Sequence, residues 1–324
     1  MIGGITLTRL SNTKNHPFSI EDWIGLAMIP LLAALILFIH HLNYDYTEFL
    51  KSQAGTIESH TLVSANIQGR WLDRSYQIRS TRGYHFNIRI RIPANLESGQ
   101  QVPALIILGG IETGSRSIQL INTNSNLMLV GVDYAYKGKT RYSNLEFLFD
   151  LPIISTAIAE SFGAVLLTTG FIHTFPEVDT NRVVMIGSSF GVPYSVIATA
   201  LDSRIDGLVN THGGGHLVDM VLHQIPDDLQ YLSPFLWPIA AYLLAPYEPL
   251  NYIHLVSPRP FLLINATRDE RIPYDSMIAL FQMASEPKDI VWMDSKHILP
   301  SKKELINDML NVAEIWLLER NLLD

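Results

Sequence analysis

The 324-residue sequence contains no cysteine. Disulfides, thiolate nucleophiles and cysteine-ligated metals are therefore excluded. A cysteine-free chain folds in either redox environment, so the absence leaves the compartment open. Charge is also sparse: charged residues make up 17% of the chain and sum to −8. Binding to nucleic acid needs a basic face, so no nucleic-acid partner is expected. Internal repeats and low-complexity stretches are lacking. What is abundant is apolar material, 48% of the chain, which is ample for a core and incompatible with disorder. The length allows one large domain or two small ones.

The first informative stretch is Trp23 to Ile39, WIGLAMIPLLAALILFI, which carries no charge. As a helix it would span roughly 25 Å at about 1.5 Å per residue, against a bilayer hydrocarbon core of about 30 Å. His40, His41 and Leu42 extend it, and Trp23, Tyr44 and Tyr46 flank it as interface aromatics do. Residues 23–42 are expected to be a single-pass transmembrane anchor in contact with the lipid bilayer, preceded by a segment over 1–22. Two alternatives are a buried core helix and a cleaved signal peptide. The run is apolar on every face rather than on one stripe, which opposes the first. It also starts late, with no small-x-small site after it, which opposes the second. Arg9 and Lys14 precede the run and Lys51 follows it, so the positive-inside rule puts the large domain on the extracytoplasmic side.

Residues 43–53 read as a polar linker, and 54–324 as one folded domain. Tyr84–Pro93, YHFNIRIRIP, alternates apolar and polar with a period of two, the pattern of a half-buried strand. With Gly83 as a turn back to Tyr76–Ser80, it opens the domain as an antiparallel hairpin. The arginines at 70, 74, 79, 82, 89 and 91 form a solvated sheet face, or alternatively a contact for anionic headgroups. Short apolar runs follow at Ala104–Leu108, Leu127–Val132, Val183–Ile186, Gly207–Val209 and Phe261–Ile264, separated by helical stretches such as Ile153–Thr168 and Val192–Leu201. Continuous apolar strands alternating with helices indicate an α/β fold, with a mostly parallel sheet covered on both faces. The chain closes on an amphipathic helix, with Ser301 and Glu304 in capping-box spacing and Leu305, Met309, Val312 and Trp316 on one stripe. Residues 212–258 form a cap-like insertion. Within it Leu232–Pro246, LSPFLWPIAAYLLAP, is too short and proline-rich for a second span and reads as an apolar surface over a pocket.

Directly after the strand VVMI stands Gly187-Ser188-Ser189-Phe190-Gly191, a G-x-S-x-G motif between strand and helix. A nucleophile on so tight a turn needs small neighbours, because side chains at 187 or 191 would strike the adjoining strand or helix. The spacing selects Ser189 over Ser188. The Phe190 N–H, at the start of the helix, becomes a candidate oxyanion donor. A serine hydroxyl needs a base, and the base an orienting acid. Asp269, just past the strand FLLI, is the candidate acid, with Glu270 as its rival. His297, after the strand Ile290–Met293, is the candidate base and the one histidine downstream of Asp269; His212, His216, His223 and His254 all precede it. A second oxyanion donor is expected from Gly109-Gly110-Ile111-Glu112-Thr113-Gly114, at the amide of Ile111 or of Gly110. No metal or organic cofactor is implied.

The order of these motifs resembles the α/β-hydrolase superfamily, and within it the dienelactone-hydrolase-like and acyl-peptidase-like esterases. The segments that carry the resemblance are GSSFG, SPRPFLLINATRDERIP and SKHI, and it covers Tyr76 to the C-terminus. The middle segment is similar to the family's strand, small residue and Asp-x-x-hydrophobic-Pro, here Asp269 to Ile272-Pro273. Val132-Asp133-Tyr134 also fits, with Asp133 in what is usually a structural position. The chain departs from the family at Gly109-Gly110, where His-Gly is frequent, at Ala266, where glycine is common, and at Lys296, where glycine often precedes the histidine. The resemblance implies a serine hydrolase with a Ser189–Asp269–His297 triad that cleaves a small-molecule ester or acyl substrate through an acyl-enzyme. Amide or peptide cleavage by the same triad is one alternative. A non-catalytic, membrane-tethered binding domain is the other.

Overall fold

The computed structural model describes residues 20–136, 138, 147–225 and 227–323, in two units that divide between Tyr44 and Asp45. Most of the expected N-terminal segment, including Arg9 and Lys14, lies outside the described residues. The first unit holds α1 (Ile20–Leu42), 23 residues long, or about 34 Å at 1.5 Å per residue. It begins three residues earlier than expected. The side chains of Leu31, Leu32, Leu35, Ile36, Leu37 and Ile39 are all exposed.

The second unit begins with a correction. The stretch expected to be a linker carries α2 (Thr47–Ala54), and Leu50 on it is fully buried. One apolar side chain per turn was enough to fold the segment onto the domain, although its composition is polar. The sheet then has nine strands in the order β1-β2-β3-β5-β4-β6-β7-β8-β9. β1 (Ile57–Gln68), β2 (Trp71–Ser80) and β3 (His85–Pro93) are antiparallel, and β3 joins β5 (Met128–Val132) antiparallel. From there β4 (Val102–Leu108), β6 (Val178–Ser188), β7 (Gly207–Thr211), β8 (Phe261–Ala266) and β9 (Lys288–Met293) run parallel. β1 had no counterpart among the expected strands. It is exposed along nearly its whole length, so its sequence, IESHTLVSANIQ, carries no buried face for periodicity to reveal.

The inner strands are buried on both faces, as continuous apolar runs require. Ile106, Leu108, Val130, Met185, Leu208 and Leu263 enter one core, which is shared with α3 (Phe147–Ile172) and α4 (Val192–Leu201). Their neighbours Leu105, Ile107, Leu129, Val184, Val209 and Leu262 enter another, beneath α8 (Lys303–Leu318). By length and composition Phe149–Ile172 of α3 could also cross a membrane, but half of that stretch is buried, and Phe162, Val165 and Ile172 fix it in the core. α7 (Tyr274–Met283) adds Leu280 to the same side. α8 buries Met309 and Trp316, with Leu305 and Val312 packed alongside. The capping box does not form: α8 starts at Lys303, and Lys302 at its N-cap makes no side-chain cap bond. Between β7 and β8 lie α5 (Leu217–His223) and α6 (Ser233–Leu244).

Candidate active site

Crowding around one turn explains its glycines. β6 runs between β4 and β7, and its C-terminal end delivers Ser189 at φ 53°, a left-handed conformation that non-glycine residues rarely adopt. A Cβ on Gly187 would collide with Ser195 Oγ on α4 and with Asn210 Oδ1 on β7; one on Gly191 would collide with the Leu108 carbonyl of β4. Ser195 Oγ in turn donates to Asn210 Oδ1 (2.6 Å), which ties helix to strand behind the turn. The serine is thus held on a strained elbow by packing on both sides.

The loops after β8 and β9 bring Asp269 and His297 to the same edge. Ser189 Oγ lies 2.8 Å from His297 Nε2. His297 Nδ1 lies 2.8 Å from Asp269 Oδ2 and 2.9 Å from Oδ1. Asp269 Oδ1 also accepts the Arg271 and Ile272 amides at 2.9 and 3.0 Å. Burial works against a charged carboxyl here, but the bonds from His212, His297 and the Arg271 amide outweigh it and hold Asp269 well below the usual carboxylate range. It therefore stays ionised far into acid. Glu270, the rival acid, is not on the imidazole: its Oε2 accepts the His297 backbone amide at 3.1 Å and fixes that loop. Asp133 accepts the Ser115 amide (2.7 Å) and Asn87 Nδ2 (3.1 Å), a structural role.

His212 was passed over in the sequence because it precedes Asp269. Its Nδ1 lies 2.8 Å from Asp269 Oδ2, and its side chain is fully buried. The overlooked signal was its place: it follows β7 directly, at the same carboxyl edge as the other three. His212, Asp269 and His297 bring potential metal-ligand atoms within 4.8 Å of one another. The 2.8–2.9 Å separations are ordinary N–H···O lengths, however, and both Nδ1 atoms are committed to the carboxylate.

The loop after β4 leaves the sheet beside the elbow, since Leu108 pairs with Gly187. Among the described residues no hydrogen bond engages the Gly110 or Ile111 amide, and space around Gly110 is open. Tyr134 braces both expected oxyanion elements. Its hydroxyl donates to the Gly109 carbonyl (2.5 Å), and its ring meets Phe190 edge-on at 5.1 Å. Beside Ser189 and Phe190 lies a cavity of about 250 Å³, lined mainly by apolar side chains from α3, α5 and α6, including Ile158, Phe162, Met220 and Leu244. Arg271 and Gln224 are among its polar members.

No family model matches the chain, and no curated protein sequence does. Solved structures do. The chain is similar to acetyl xylan esterase 1 from Thermoanaerobacterium sp. JW/SL YS485, with a TM-score of 0.61 at 17% identity over 78% of this chain and 87% of that one. It is similar to the acetyl xylan esterase from Paenibacillus sp. R4, with a TM-score of 0.64 at 14% identity over 82% and 96%. A cold-adapted esterase from an Arctic intertidal metagenomic library follows, with a TM-score of 0.51 at 14% identity over 74% and 92%. The chain has an α/β-hydrolase fold. Identities this low speak for architecture and not for substrate. Within that fold, the long stretch between β7 and β8 carries the cap-like helices α5 and α6, and the pocket lies against them.

Proposed function

We propose that the chain is a serine hydrolase that cleaves a carboxylic ester through an acyl-enzyme. The observation that carries this reading is the continuous relay from Ser189 Oγ to His297 Nε2 and from His297 Nδ1 to Asp269, at 2.8 Å for each step. In the first half-reaction His297 removes the Ser189 proton as Oγ attacks the ester carbonyl. Asp269 fixes the tautomer with Nδ1–H and stabilises the imidazolium. The amides of Phe190 and of Ile111 or Gly110 take the oxyanion, and His297 returns the proton to the departing alcohol. Water then repeats the sequence on the acyl-enzyme. The apolar cavity beside Ser189 suits the acyl or alcohol portion of the substrate. Acetyl xylan esterases among the structural neighbours favour esters over amides as the first panel. The test is labelling of the detergent-solubilised full chain with a fluorophosphonate. Labelling at Ser189 that is lost in Ser189→Ala and His297→Ala is expected; folded wild-type protein that stays unlabelled would sink the proposal.

α1 is read as the membrane anchor on its uncharged sequence from Trp23 to Ile39 and its 23-residue length. Arg9 and Lys14 before the run, against Lys51 after it, support an extracytoplasmic domain under the positive-inside rule. Protease added to intact cells or sealed right-side-out vesicles should then digest the domain. Protection until the cytoplasmic face is opened would reverse the orientation.

A further inference from the structure

The helices over the pocket turn apolar side chains outward as well as inward. Leu217, Met220, Val221 and Leu244 line the cavity beside Ser189. On the outside, Tyr231, Phe235, Trp237, Ile239 and Tyr242 are exposed, Phe235 by 74%. The stretch 231–247 holds no charged residue at all. Phe149 and Ile153, exposed at the start of α3, precede the pocket residues Ile158 and Phe162 on the same helix. An exposed apolar surface of this kind marks an interaction site, and its mixture of Tyr and Trp with aliphatic side chains is the composition of a membrane interface. The connection to α1 points to the same partner. Residues 43–46 join α1 to α2, and α2 is fixed in the domain through Leu50, so an anchor at α1 tethers the domain covalently to a bilayer.

We propose that α5 and α6 dock on the lipid bilayer and that the pocket beside Ser189 draws its ester from a membrane lipid. The substrate half rests on the hydrolase reading, and the docking half on the reading of α1 as a membrane anchor. The absence of native cysteine makes a direct test simple. Phe235→Cys in the full chain is labelled with an environment-sensitive fluorophore and reconstituted into phosphatidylcholine vesicles with and without a nitroxide on the upper acyl chain. Ser64→Cys on exposed β1 serves as the control. A blue shift and strong quenching at 235 but not at 64 are expected. Equal, weak quenching at both sites overturns docking, as does shielding at 235 that appears in detergent and grows with protein concentration, the mark of a second copy. Fluorophosphonate labelling of the same samples reports the serine independently, so a failure of docking is not confused with a failure of the hydrolase reading. The Phe235→Ser variant should then hydrolyse a soluble short-chain ester at the wild-type rate and a vesicle-embedded ester at least tenfold more slowly. Equal loss on both substrates overturns the lipid source.

A separate observation carries a second inference. Asp269 Oδ2 receives two histidines, from His297 and from His212. His212 sits at φ 51°, its amide anchored to the Ile264 carbonyl of β8 (2.9 Å). Its Nε2 is buried with no hydrogen-bond partner. A left-handed backbone and an orphaned ring nitrogen are both unfavourable, and among the described residues the hydrogen bond that this side chain makes is the one to Asp269. With His212 Nδ1 and the Arg271 and Ile272 amides all donating, the carboxylate has no freedom to rotate away from His297.

We infer that His212 is a positioning residue that locks Asp269 for its work on His297, an inference that rests on the triad reading. The discriminating variants are His212→Gly, which removes the donor without straining the left-handed backbone, and His212→Asn, which tolerates that backbone and keeps an N–H donor near the position of Nδ1. On 4-nitrophenyl acetate, His212→Gly should lose at least tenfold in kcat with KM within twofold, and His212→Asn should recover most of it. Rates are taken per folded molecule after gel filtration, so partial unfolding does not enter. An Asn variant as impaired as the Gly variant, or a Gly variant with wild-type kcat, overturns the inference. Wild-type protein that never reacts with fluorophosphonate overturns the triad itself.

Discussion

Ser189→Ala is expected to lower kcat by about 10⁴–10⁶ while leaving the fold intact, because triad members act as a unit and the loss of one forfeits most of what all three provide. The side chain removed is small and stands at the mouth of an existing cavity, so no packing is lost. Alanine keeps a Cβ, and the φ of 53° already tolerates one there. KM for a soluble ester should therefore stay close to wild type, since the apolar lining from α3, α5 and α6, the proposed substrate pocket, is untouched. Residual turnover of about 10³-fold over water would come from the oxyanion amides and binding alone. His297→Ala should fall almost as far. The measurement is steady-state hydrolysis of a chromogenic ester by the purified full chain; turnover by Ser189→Ala within tenfold of wild type would remove the serine from the mechanism.

Gly191→Ala is expected to be the most disruptive small substitution in the domain. The new Cβ would overlap the Leu108 carbonyl oxygen, a backbone atom inside a parallel ladder that cannot rotate aside. Overpacking typically costs about 1–3 kcal/mol, and here relief requires moving either β4 or the start of α4. Both movements would shift the elbow and the loop at Gly110 together, so activity should fall with stability. Gly110→Ala is the contrast, because nothing lies within 4 Å of a Cβ there. Urea denaturation of the two variants separates them: an unchanged midpoint for Gly110→Ala and a clear drop for Gly191→Ala. Equal midpoints would mean that β4 and the elbow are not in the contact described.

Gly187 and Gly191 show why the sequence was readable at this edge of the sheet. Gly187, Ser189 and Gly191 are dictated by local crowding, so a five-residue pattern announces them. Asp269 and His297 follow strands whose apolar runs are unmistakable, FLLI and IVWM. Where burial was partial the sequence said less. β1 presents no core face, and α2 is held mainly by Leu50 and Ala54, so neither is visible in a hydrophobic pattern. The capping-box spacing at Ser301 and Glu304 was a local signal overridden by a later helix start. His212 was hidden for a different reason. Its importance comes from a bond to a residue 57 positions away, and the chain order expected of a triad directed attention past it.

The distance along the chain between Ser189 and His297, 108 residues, has a kinetic consequence. The elbow, the candidate acid and the candidate base leave three different strands, β6, β8 and β9, and the elbow meets the other two only once β7 has paired between β6 and β8. Parallel pairings are slow to assemble because long loops must close before any contact rewards them. On the triad reading, an unfolded chain carries all three side chains before it has a reactive serine, and reactivity waits on the assembled edge of the sheet. Reactivity toward an electrophilic probe is therefore a count of finished molecules, and its rate of appearance during refolding times the closure of the last two strands.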